Sequence, residues 1–121
     1  MAIEVQALLQ EKAKRFGASA ASADFQQLTL DSINYVLDDI DERLGLSTAR
    51  VTATNASIDL DEQDYRGVIS LGLDVFIGDG GSWSIDNADR VARRYEDKLK
   101  HVHMNYLKSI DLSARFGDLD S

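Results

Sequence analysis

The chain has 121 residues, 44% of them hydrophobic, and a net charge of −8, which describes one acidic domain with its own hydrophobic core. No apolar run approaches the roughly 18 residues of a membrane span, and the N-terminus lacks the basic-then-apolar order of a secretory signal. The absence of cysteine excludes disulfides and thiolate metal sites and favours a cytosolic compartment.

Two amphipathic helices are predicted in the first half of the chain. Residues 1–16 carry apolar side chains at helical spacing, and Gly17 is expected to end that helix before a flexible connector of small residues. The second helix is expected to begin at Thr29 or as early as Asp24, and to end at Gly45. Its apolar stripe consists of Leu30, Ile33, Leu37, Ile40 and Leu44.

A short β-hairpin or loop is predicted near residues 50–60. The helical spacing stops there, and residues 51–54 and 57–60 have the composition of short strands separated by a turn. The expected fold is therefore mainly α, with about four helices, this small β element and an extended C-terminal tail.

Two further helices are predicted after the β element. Asp59 and Glu62 have the spacing of a capping box, so the third helix is expected to begin there and to end at Gly78. The last helix is expected to have Ser84 or Asp86 as its N-cap. Its apolar face consists of Val91, Tyr95, Leu99, Val102 and Tyr106.

Trp83 and the C-terminal residues are predicted to make specific contacts. Trp83 directly precedes the last helix, so it is expected to anchor that turn by packing on the third helix. The helical domain is expected to cover residues 1–108, and residues 109–121 to form a tail or arm. The tail carries too few apolar residues to order itself, so an outside surface is expected to bury Ile110, Leu112, Phe116 and Leu119.

Charge is distributed unevenly along the chain. Residues 24–89 carry 14 acids and three bases, whereas residues 90–108 carry six bases and two acids. Because the chain as a whole is acidic, tight DNA binding is not expected. The opposite charges either compensate each other within the chain or meet between copies. In the second case the subunit interface would consist of Asp38, Asp39, Asp41, Glu42, Arg90, Arg93 and Arg94.

The sequence indicates no catalytic, metal or cofactor site. The glycines of residues 78–81 lack the ending of a phosphate loop, and the acids of residues 59–64 lack the pattern of a calcium loop. His101 and His103 would lie about 200° apart around a helix and could not share a metal ion. An enzyme is therefore not expected, and a hydrolase using an unrecognised carboxylate pair stays as a minor alternative.

A composite pattern extends from Leu30 to Tyr106. It consists of a helix over residues 30–40, then Ile58-Asp-Leu60, Tyr65 with Val68-Ile-Ser-Leu-Gly-Leu-Asp-Val-Phe76, Gly81-Ser-Trp83, and a long charged helix containing Tyr95. In order and spacing this pattern resembles the head-to-tail connector, or adaptor, proteins of tailed bacteriophages.

The resemblance implies a structural virion protein that is assembled in the host cytoplasm. Such proteins form a homo-oligomeric ring, typically of twelve copies, between the portal protein and a tail or stopper protein. DNA would pass through the ring with weak contacts, since an acidic lumen repels phosphates. The arm would then contact the portal or a neighbouring copy. The alternatives are another tail-completion or stopper subunit, or a small helical regulator that binds nucleic acid through residues 90–108.

Overall fold

The computed structural model describes residues 2–78 and 85–119, with side chains described for residues 2–78 and 88–110. Four helices and two short strands lie in these ranges: β1 (Ile3–Glu4), α1 (Val5–Phe16), α2 (Ala23–Leu44), β2 (Ser57–Ile58), α3 (Glu62–Gly78) and α4 (Ile85–Leu119). The predicted mainly α fold with a small β element is thus confirmed. Of the helices described, none combines the length and the apolarity that a membrane span requires.

The C-terminal ends of α1 and α2 follow the sequence prediction, but α1 begins at Val5 and not at residue 1, because Ile3–Glu4 form β1. Gly17 (φ 65°) and Gly45 (φ 69°) adopt the left-handed conformation, and each donates its backbone N–H to a carbonyl in the last turn of the preceding helix. Glycine adopts this conformation at little cost because it has no Cβ. α2 begins at Ala23, close to the earlier of its two predicted starts, because the Ser22 hydroxyl caps it by accepting the N–H of Phe25.

The two strands form one antiparallel pair, in which Ile3 lies opposite Ile58. The strand predicted over residues 57–60 is confirmed at Ser57–Ile58, but its partner is the N-terminal segment and not residues 51–54. Residues 51–54 do not form a strand because Val51 pairs with a side chain of α2: both its N–H and its carbonyl bond to the amide of Asn34.

α3 ends at Gly78 as predicted, but its N-cap and the bounds of α4 differ from those predicted. The N-cap of α3 is Asp61, whose carboxylate accepts the N–H of Asp64 at 3.2 Å, so the predicted box starting at Asp59 is not the cap. α4 is helical from Ile85, which excludes Asp86 as its cap, and it continues past residue 108 to Leu119. The other candidate cap, Ser84, and the predicted anchor Trp83 both lie outside the described residues, so their roles stay predictions.

The core forms where α3 packs against α2 and α4, its two most extensive neighbours. The three helices converge at Gly72: a Cβ on this residue would lie 2.4 Å from Val36 Cγ2 and 2.9 Å from Tyr95 Cε1. The absent side chain therefore permits the close approach of all three helices. The surrounding buried side chains include Ile33, Leu37, Ile40, Val68, Ile69, Leu73, Ile77, Leu99 and Val102.

A buried ion pair joins α1 to α3. Lys12 is only 1% exposed, and its ammonium donates to Asp74 Oδ1 and to Ser70 Oγ, both at 2.8 Å. Arg15 Nε lies 3.1 Å from the same carboxylate oxygen. Because a buried charge is costly without its partner, these contacts favour one docked position of α1 on α3.

Candidate interaction surfaces

The outward side of α4 is basic. The exposed bases on this side, which we call the α4 face, are Arg90, Arg93, Arg94, Lys100 and Lys108. They include the three arginines that the sequence predicted for a subunit interface. None of the five forms an ion pair with another described residue. Asp89 and Asp97 lie among them and are also exposed. The α4 face therefore keeps a net positive charge on an acidic protein.

Exposed apolar side chains continue the α4 face toward the C-terminus. Met104 is 57% exposed and Leu107 is 51% exposed, and the two lie about one turn apart. Ile110, the first residue of the predicted tail contact, is exposed as well. The side chains of Leu112, Phe116 and Leu119, the other predicted contact residues, lie outside the described part of the chain. Neighbouring exposed apolar residues are typical of surfaces that contact another molecule.

The outward side of α2 is acidic. Its exposed carboxylates, which we call the α2 face, are Asp24, Asp31, Asp38 and Glu42, and no exposed residue of α2 is a base. Leu28 and Tyr35 lie exposed on the same side, the tyrosine at 56%. The two faces thus have opposite charge, and each includes apolar side chains.

Three of the four predicted interface acids are already bonded within the chain. Asp39 Oδ2 accepts the hydroxyl of the buried Tyr95 at 2.8 Å. Burial, together with this bond to a carboxylate, raises the pKa of Tyr95 well above its ordinary value, so the phenol stays a neutral donor. Asp41 is held by the loop that follows α2. Asp38 pairs with Arg50 but remains 61% exposed, and Glu42 is exposed.

Asp41 fixes the loop after α2. Its carboxylate accepts the N–H of Thr48 at 3.0 Å, the hydroxyl of Thr48 at 2.7 Å and the guanidinium of Arg50 at 2.9 Å. Asn34 holds the next residue, Val51, through two bonds of 2.9 and 3.0 Å. The sequence offered little sign of this network, since its residues lie seven to 17 positions apart.

Replacing Asp41 with asparagine is expected to destabilise the protein at neutral pH by about 1–2 kcal/mol, because charge-assisted hydrogen bonds are lost. Burial by itself would raise the pKa of Asp41, but the bonds from Thr48 and Arg50 outweigh burial and hold this pKa below its ordinary value of 3.8. The charged form therefore stabilises the fold above pH 3.8, and this contribution disappears as the pH falls through the lowered pKa.

Urea unfolding of both proteins between about pH 2 and pH 7 would measure this effect. The difference between parent and Asp41→Asn should be largest at neutral pH and shrink in acid. A difference that stays constant across the whole range would contradict the assigned role of the Asp41 carboxylate.

A groove of about 570 Å³ lies between the start of α3 and the second half of α4. Its lining includes Tyr65, Tyr106, Lys98, His101 and Asp64. It is an open surface feature, and its polar groups do not form a nucleophile and base pair. Among the side chains described, those of residues 2–78 and 88–110, no three histidines or carboxylates come close enough together to hold a metal ion.

No protein-family profile, curated protein sequence or solved structure matches this chain. The assignment of function therefore rests on the surfaces described above. The α2 and α4 faces both carry exposed charged groups beside exposed apolar side chains, and such groups can bind another molecule.

Proposed function

We propose that this chain is a non-enzymatic structural subunit of a homo-oligomeric ring, in the manner of the phage head-to-tail connector proteins that it resembles. The observation that supports the proposal best is the α4 face. Its five bases have no partner among the described residues, although the chain as a whole carries a charge of −8. A positive face on an acidic protein attracts the acidic surfaces of other copies, and a contact between unlike faces can close into a ring.

The length of α4 also favours a role in assembly. α4 has 35 residues and would extend about 52 Å, whereas α2 and α3 have 22 and 17 residues. Its last buried described residue is Val102, and the apolar Leu107 and Ile110 that follow are exposed. The C-terminal part of α4, which includes the predicted arm from residue 109, thus offers apolar side chains to a neighbouring copy or to a portal.

The overall charge suits a protein that surrounds passing DNA. An acidic lumen would repel phosphates and let the polymer slide without binding. The exposed arginines of the α4 face favour one other function, a small regulator that binds nucleic acid. The acidic α2 face argues against this second candidate, because it would oppose the approach of a duplex.

Native mass spectrometry of the purified chain, alone and with a candidate portal protein, tests the proposal. We expect an oligomer of defined copy number that binds the portal. A chain ending at residue 108 should keep the unfolding transition of the helical core but lose co-purification with the portal, because it lacks the proposed arm.

Two outcomes of these experiments would contradict the proposal. One is a chain that stays monomeric both alone and with portal protein. The other is a monomer that binds duplex DNA with a strong salt dependence, which would support the nucleic-acid-binding regulator instead.

A further inference from the structure

We infer that the α4 face of one copy packs antiparallel on the α2 face of the next copy. This inference rests on the proposed ring and specifies which surfaces form its repeated contact. The occupant of each face is therefore a second copy of this chain.

The charges of the two faces are complementary. The α2 face presents four carboxylates and no exposed base, and the α4 face presents five bases around two acids, Asp89 and Asp97. Asp38 shares Arg50 within its own chain, which leaves the α2 face negative through its other three carboxylates. Neither face carries enough opposite charge to balance its own charged groups. A contact between the two faces would therefore pair the carboxylates of one with the bases of the other.

The two faces also match in length. Asp24 and Glu42 are 18 residues apart, as are Arg90 and Lys108, so each face extends about 27 Å along its helix. Because the two faces have the same length, each helical turn that carries a charge on one face can lie opposite a helical turn of the other face.

One alignment of the faces brings unlike charges together along their whole length. In the antiparallel direction, with Asp24 opposite Lys108, the other matching positions are Leu28 with Met104, Asp31 with Lys100 and His101, Tyr35 with Asp97, Asp38 with Arg94, and Glu42 with Arg90. In this alignment the apolar side chains of Leu28 and Met104 lie opposite each other, and the Tyr35 hydroxyl can donate a hydrogen bond to Asp97. In the parallel direction Asp31 would lie opposite Asp97, and Leu28 opposite Arg94. The antiparallel alignment is therefore the favoured one.

The size of the contact indicates how it assembles. A face about 27 Å long and one helix wide covers roughly 300 Å² per partner, well below the roughly 800 Å² of a stable two-protein interface. An isolated pair should therefore be weak. Because the contact joins two different faces, each copy can bind two neighbours. The contact that closes the ring forms between copies that are already linked, so it costs no further translational or rotational entropy of a free subunit.

Charge reversal on each face tests the inference. One variant carries Arg90→Glu, Lys100→Glu and Lys108→Glu, and the other carries Asp24→Lys, Asp31→Lys and Glu42→Lys. All six residues are exposed, so both variants should fold like the parent. By sedimentation velocity, each variant alone should require at least about tenfold more protein to assemble, which corresponds to about 1.4 kcal/mol.

The equimolar mixture of the two variants is the decisive sample. In the mixture the reversed α4 face of one variant meets the reversed α2 face of the other, and the native α4 face meets the native α2 face. Every contact then joins opposite charges, so assembly should return with the two variants alternating. A single chain with all six reversals should assemble as well. Because the parent has no cysteine, a disulfide between Leu28→Cys in one chain and Met104→Cys in another would report the alignment directly.

The possible outcomes distinguish a failure of this contact from a failure of the proposed ring. If the parent assembles and both reversed variants assemble equally well, the contact is overturned and the ring stands. If each variant is defective but the mixture is not restored, the α2 face is not the partner of the α4 face. A parent that stays monomeric alone and with portal protein overturns the contact and the ring together.

Discussion

Replacing Asp74 with leucine should destabilise the protein by about 3–5 kcal/mol, because Lys12 would remain buried without its carboxylate. Lys12 is 1% exposed and reaches Asp74 from another helix, so it cannot turn toward water while α1 stays docked. Its remaining partners would be Ser70 Oγ at 2.8 Å and the partly exposed carboxylate of Glu11 at 3.4 Å. Urea unfolding followed by circular dichroism would measure the loss.

The double variant Lys12→Met with Asp74→Leu is the control for this prediction. It removes both buried charges and fills the space with apolar side chains, so it should recover most of the lost stability. Arg15, the other base beside Asp74, is about half exposed and can turn toward solvent. A double variant as unstable as Asp74→Leu would show that shape, and not charge pairing, determines the cost.

Gly72→Ala should destabilise the protein by about 1–3 kcal/mol or more, because a methyl group at this position has no free space. The new Cβ would lie 2.4 Å from Val36 Cγ2 on α2 and 2.9 Å from Tyr95 Cε1 on α4. Either helix would have to move away from α3, which would also disturb the bond between Tyr95 and Asp39. Thermal unfolding of the variant would show the effect as a lower Tm.

Gly67→Ala provides a matched control on the same helix. Gly67 is exposed, and a Cβ there would meet only the flexible end of Lys98, at 3.2 Å from its Cε. Alanine favours a helix over glycine by up to about 1 kcal/mol, so this variant should be as stable as the parent or more stable. Equal losses at both positions would mean that the crowding at Gly72 is not the cause.

Local features of the fold could be predicted from the sequence because their causes are local. The left-handed glycines at 17 and 45 follow from the need to end a helix, and the apolar stripe of α2 follows from its helical spacing. The strand at Ser57–Ile58 was also predicted. Its partner was not, because Ile3 is 55 residues away and short strands near a turn suggest a local hairpin instead.

The buried ion pair between Lys12 and Asp74 could not be predicted from hydrophobic periodicity. Lys12 lies between Leu9 and Ala13 on the buried side of α1, and Asp74 follows Leu73 on the buried side of α3. A charge inside an apolar stripe is a signal that two elements meet, but one sequence does not say which charge is the partner. Lys12 and Asp74 are 62 positions apart, so only the tertiary structure shows that they form a pair.

The candidate interface was predicted at the level of charge but not of single residues. The basic segment does present exposed arginines, as the uneven charge distribution suggested. The acidic segment is divided by the fold: Asp39 and Asp41 bond to Tyr95 and to the following loop. Asp24 and Asp31, which lay outside the predicted set, share the outward face of α2 with Glu42.

The docking of α1 has a consequence for the order of events during translation. α1 leaves the ribosome before α2 and α3, yet the polar groups that hold it belong to residues 56–74, from the Ala56 carbonyl to the Asp74 carboxylate. Its full docking surface therefore does not exist until residue 74 has emerged. Contacts between distant residues form late because closing the long intervening loop costs entropy. α1 should thus reach its native position only after α2 and most of α3 have emerged, and the core of α2 and α3 can begin to form without it.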